Sequence, residues 1–132
     1  MRVMLDTNIF VSMIFFPSTQ TRELARRLAE NYQIVVCDYV IEELRLVTER
    51  KFPAKRKYLD RFFMELPFEL VYTPKTLDAN EFPKMRDVKD TPILATALME
   101  GVEVFVTGDR DFTELEIEMP EILTMVEFLE KY

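Results

Sequence analysis

Histidine is absent from all 132 residues and cysteine occurs once, at Cys37. That excludes an internal disulfide, a thiolate-held zinc and every mechanism that needs an imidazole base. Long apolar runs are missing too. The longest, Ile9 to Phe16, is broken by Ser12 and is far shorter than the roughly 20 residues a membrane helix needs. Asp6 and Asn8 interrupt any signal-peptide core, and no small-residue cleavage site follows. The expectation is a soluble, unexported, cytoplasmic protein with no membrane partner. Any chemistry rests on Asp, Glu, Lys, Arg, Thr, Ser or Tyr.

What is present fits one packed core. A chain of this length, 48% hydrophobic and 31% charged with eleven Phe, reads as a single domain over residues 1–132. Its net charge of −7 argues against a generically basic nucleic-acid binder, but the charge is unevenly spread. Arg45, Arg50, Lys51, Lys55, Arg56, Lys57 and Arg61 make one basic segment, whereas eight acids follow from Asp109 onward. Both runs are equally readable as solvated helix faces.

Short β-branched or apolar runs alternate with helical spacing along the chain. Val3 to Leu5 predicts a strand ending at Asp6, and a helix follows to Phe16. After Pro17-Ser18-Thr19 a second helix runs to about Glu30, then a strand at 34–36 whose end places Asp38 as a helix cap. Val40, Ile41, Leu44 and Val47 share a stripe of the next helix, and Tyr58 to Leu66 of another, before a third strand over 68–72. Residues 73–89 read as the longest loop. Asp90-Thr91-Pro92 opens a buried helix capped by Gly101. A fourth strand over 103–107 ends at Gly108, expected to permit a sharp turn into Asp109. A short strand at 122–123 and a capping box at Thr124 and Glu127 close the chain. This alternation predicts an α/β fold with a mostly parallel central sheet of four to five strands and helices on both faces.

In such a sheet ligands bind beyond the carboxyl ends of the strands, which is where Asp6 and Asp109 fall. Asp90 opens the helix leading to the fourth strand, and Glu43 lies early in the helix after the second. Carboxylates without histidine suit a hard cation, Mg²⁺ or Mn²⁺, and such ions assist phosphodiester cleavage by activating water and neutralising developing charge. Taken singly, each acid has a plainer explanation. Asp6 and Asp90 can cap helices, Glu43 can be a solvated position beside Glu42, and Asp109 with Asp111 can flank a turn at Arg110.

Leu-Asp-Thr-Asn at 5–8, Ile-Glu-Glu-Leu at 41–44, Asp90 before Ile-Leu-Ala-Thr-Ala-Leu, and Val-Thr-Gly-Asp-Arg-Asp-Phe at 106–112 together resemble a PIN domain. The resemblance covers nearly the whole chain and is strongest to small single-domain toxins of toxin–antitoxin pairs, related to VapC. It implies a PIN-like three-layer sandwich and a Mg²⁺- or Mn²⁺-dependent endoribonuclease acting on single-stranded or looped RNA. An antitoxin protein and a homodimer are implied as partners. The catalytic set it implies is Asp6, Glu43, Asp90 and Asp109. Asp6, Asp90, Asp109 and Asp111 would hold metal, and Thr7, Asn8 and Thr107 would orient them. Lys89 and the alternative acid Asp87 depart from the denser acidic run of relatives, and Cys37 stands where they often carry Ser. Arg110, Arg45, Arg50 and Lys51 are candidate RNA contacts, with Arg22, Arg26 and Arg27 further cations. Phe15 or Phe16, if exposed beside the cleft, could stack bases, although core packing is the plainer and favoured role for both. Two rival readings remain: a non-catalytic PIN-fold module binding RNA or protein, and an aspartyl phosphoacceptor. The second lacks the late-strand Lys of a receiver domain and has Asn8 where a phosphatase needs Asp.

Overall fold

The computed structural model describes residues 1–74 and 91–132, with the backbone alone at Thr91. Five strands, β1 (Arg2–Leu5), β2 (Gln33–Cys37), β3 (Glu69–Val71), β4 (Val104–Val106) and β5 (Glu121–Leu123), form one sheet in the order β3-β2-β1-β4-β5. Every pairing is parallel, so the sheet is more uniform than the mostly parallel one expected. Successive strand residues point to opposite faces. Val3, Met4 and Leu5 are all buried, as are residues 34–37 and 104–106, so both faces are covered. That is why these strands read as continuous apolar runs without alternation.

Helices α1 (Thr7–Phe15), α2 (Thr19–Asn31), α3 (Asp38–Lys51) and α4 (Arg56–Glu65) lie between the first three strands in sequence. Helices α5 (Thr91–Met99), α6 (Arg110–Thr113) and α7 (Met125–Lys131) complete the described set. Local chemistry accounts for the boundaries. Ser18 and Thr21 form a capping box that opens α2, and Thr124 with Glu127 forms the expected one on α7. Pro53 starts a short 3-10 turn after α3, and Gly101 ends α5 at φ 63°, a left-handed conformation that favours glycine.

Two expectations need correction. Gly108 does not adopt a positive φ, and a Cβ there would meet nothing within 4 Å, so the turn into Asp109 does not depend on glycine. Asp38 does not cap α3; Cys37 occupies that place without a side-chain bond. The Asp38 carboxylate instead accepts from the Thr73 N–H and hydroxyl, both at 2.7 Å, tying the start of α3 to the chain leaving β3. On α7, Phe128 is fully buried against Tyr32 and Tyr132, so it belongs to the core. The long loop expected over 73–89 lies, from residue 75 onward, outside the described residues.

Two contacts set the direction of α1 against α3. At one end the Thr7 hydroxyl donates to Glu43 Oε1 at 2.7 Å, and at the other the Phe15 ring stacks on Phe52 with centroids 4.8 Å apart. The helices therefore run side by side in the same sense, both starting at the carboxyl edge of the sheet.

Candidate active site

The sheet order reverses beside β1: the chain passes from β1 to β2 and β3 on one side, then returns to β4 on the other. Connections leaving β1 and β4 diverge there and open a crevice at the carboxyl ends of the strands. Asp6 immediately follows β1, and Thr107, Gly108 and Asp109 follow β4.

Asp6 is 4% exposed and held at both carboxylate oxygens. Its Oδ1 accepts from the Ile9 N–H at 2.9 Å, which caps α1, and its Oδ2 accepts from the Thr107 hydroxyl. Its own N–H donates to the Val106 carbonyl at 3.1 Å, continuing the β1–β4 ladder. Burial pushes the Asp6 carboxyl above the ordinary Asp range; the bonds from Thr107 and Ile9 oppose the rise, and the negative charge of Asp109 adds to it. The cap explanation of Asp6 is thus correct as far as it goes. A solvated cap would serve α1 as well, so capping alone does not account for a buried carboxylate beside a second acid.

Thr107 joins the two halves. Its hydroxyl has one proton, directed at Asp6, and its oxygen accepts from the Asp109 N–H at 3.0 Å. Asp109 in turn caps α6, its Oδ1 accepting from the Asp111 N–H at 2.9 Å. Glu43 reaches the same edge through Thr7, adjacent to Asp6, whereas Glu42 is exposed and bound to Arg45. Asn8 is exposed at the start of α1 and meets Asp6 through its backbone N–H. The structure thus links Asp6 to Asp109 through Thr107 and ties Glu43 to the same edge through Thr7. Asp90 and Asp87 lie outside the described residues. Among the described residues, no three acidic or thiol groups converge closely enough to hold an ion between them.

The expected cations separate into two kinds. Arg45 is held by Glu42 and Glu49, and Arg26 and Arg27 by Glu23, so their charges are locally answered. Arg50 lines a hollow of about 310 Å³ together with Tyr39, Glu42, Glu43, Leu46 and Val47, on the flank of Glu43. Arg110 and Lys51 are exposed. Tyr39 was not legible as a site neighbour, because an aromatic in the first turn of an amphipathic helix carries no signal beyond packing.

An α/β domain with an acidic pair at the switch point of a parallel sheet places that pair where such folds bind ligands. The PIN domain family matches residues 3–118, and the chain belongs to that family. Among solved structures, it is similar to VapBC2 from Rickettsia felis bound to a DNA fragment from their promoter. The TM-score is 0.70 at 22% identity, covering 93% of this chain and 97% of that one, which shows the shared fold. No curated protein matches the chain. PIN domains are generally Mg²⁺-dependent nucleases. No helix among the described residues is long and apolar enough to cross a membrane.

Proposed function

We propose that this protein is a divalent-metal-dependent endoribonuclease that cleaves single-stranded or looped RNA, serving as the toxin of a toxin–antitoxin pair. The observation that carries the reading is the Asp6–Thr107–Asp109 bridge at the crevice between β1 and β4, in a chain of the PIN family. The similarity to a VapBC2 complex supports the toxin role and an antitoxin partner.

The donor set fits a hard cation. It is built from carboxylate oxygens without imidazole, and the charge of Asp109 adds to the cost of ionising the buried Asp6, which a cation would relieve. Asp6 and Asp109 would hold the ion, with Asp90 as the expected third donor and Asp111 beside them. When bound, a divalent ion supplies stabilisation for charge developing on the phosphate and a more acidic water. The chain's own residues do the positioning. Ile9, Asn8 and Thr107 all donate to Asp6 and so fix the orientation of its carboxylate beside Asp109. Thr7 fixes Glu43 at the same edge, where its carboxylate can orient or accept a proton from the attacking water.

The test is cleavage of an end-labelled RNA panel with Mn²⁺, Mg²⁺ or chelator by the wild type, Asp6→Asn and Asp109→Asn. Metal-dependent cutting should fall by at least about 100-fold in each variant, with the circular dichroism spectrum unchanged. Full activity in both variants would sink the assignment. The rival reading, a PIN-fold module that binds without cutting, draws on the lack of three converging acids among the described residues. Absence of Mg²⁺ and Mn²⁺ binding by calorimetry would favour it.

A further inference from the structure

The far ends of α1 and α3 carry a second feature that the acidic crevice does not use. Phe16, at the end of α1, is 58% exposed, and Tyr58 in α4 is 45% exposed. Phe16 packs edge-on against Phe52 at 5.5 Å, and the Lys55 Nζ lies 5.8 Å from the Phe16 ring centre and 5.9 Å from that of Phe52. The Lys57 Nζ lies 5.4 Å from the Tyr58 ring. Between these groups a hollow of about 280 Å³ is lined by Ile14, Phe15, Pro17, Lys55 and Tyr58. Residues 50–61 hold six cations against Asp60 alone, in a chain of net charge −7. Among the described residues only Arg56 of those six is ion-paired, to Glu49 and Asp60.

We propose that this lysine-flanked hollow, lined by Tyr58 and Lys55 and continued by the exposed Phe16 ring beside Lys55, is a base-stacking subsite for single-stranded RNA; the proposal rests on the nuclease reading. Exposed ring faces bind any base, and neighbouring lysines neutralise its phosphates. The parallel packing of α1 and α3 links the two places. Thr7 and Glu43 stand at the acidic crevice, and Phe16 and Phe52 lie nine residues further along each helix. At 1.5 Å per residue the span is about 14 Å, a stretch of a few nucleotides. The helix carboxyl termini attract cations on their own account, which explains Lys51 in the last turn of α3. That attraction explains neither Lys55 and Lys57, which follow the helix, nor the exposed Phe16 ring.

The experiment is fluorescence anisotropy of a labelled unstructured oligouridylate with wild type, Phe16→Ala and Lys55→Glu, all in chelator, beside Mn²⁺-dependent cleavage. Thermal melts confirm that each variant is folded. Phe16→Ala should weaken binding about tenfold. Lys55→Glu should weaken it and lower the salt dependence by about one ion or more. Equal RNA affinity in all three proteins would overturn the subsite while leaving the nuclease reading intact, whether or not a variant dissociates a dimer of this chain. Patch-dependent binding without cleavage would uphold the subsite and remove the nuclease. No RNA binding by the wild type would remove the subsite.

Discussion

Thr107 donates to Asp6 and accepts from the backbone of Asp109, so a single hydroxyl sets the spacing of the two acids. Thr107→Val keeps the shape and removes both bonds. It should lower metal affinity or cleavage by about 10- to 100-fold, while Thr107→Ser retains most of it, as read by Mn²⁺ titration calorimetry beside an activity assay. Loss of activity in the serine variant as well would point to packing instead of hydroxyl orientation. The residues of this bridge were legible in the sequence because Asp6 and Thr107 directly follow apolar strand runs and Asp109 comes two residues later, where a parallel sheet presents its ligands. Which of Glu42 and Glu43 belongs to the site was less open to inspection. Adjacent positions on a helix face about 100° apart, and the contact that Thr7 makes with Glu43 and not with Glu42 is what supports Glu43.

At the scale of elements, the two glycines of the chain behave differently. Gly101→Ala places a Cβ on a residue at φ 63° and should cost about 1 kcal/mol in a urea titration, whereas Gly108→Ala should change stability little. The sequence assigned both to turns, but spacing alone does not report the sign of φ. Helix α2 carries a pH signature. Arg26 and Arg27 hold the Glu23 carboxyl down to about 2, below its ordinary 4.5. A depressed carboxylate stabilises the folded state above the ordinary value and loses that contribution as pH falls toward 2. The stability difference between wild type and Glu23→Gln should therefore be constant above about pH 4.5 and shrink below it, and added salt should reduce it throughout. Strands and helices were readable because burial imposes a period on sequence. The grouping of Phe16, Phe52 and Tyr58 was not, since it joins the end of one helix, the end of another and the first turn of a third, and no period runs through such a set.

For the molecule as a whole, the acidic balance conceals an arrangement in which carboxylates gather at one edge of the sheet and unpaired lysines follow the carboxyl end of α3. The order β3-β2-β1-β4-β5 also has a consequence in time. Strand β1 precedes the other four strands in the chain and becomes the middle of the sheet, but its neighbour β4 begins only at Val104. During synthesis Asp6 therefore emerges about a hundred residues before Thr107 and Asp109, which at roughly 5–20 residues per second is a delay of several seconds. Until then the crevice has only one wall. A chain still on the ribosome, lying beside the RNA it is proposed to cut, carries its acids unassembled, and any product truncated before β4 is left without the partner that completes them.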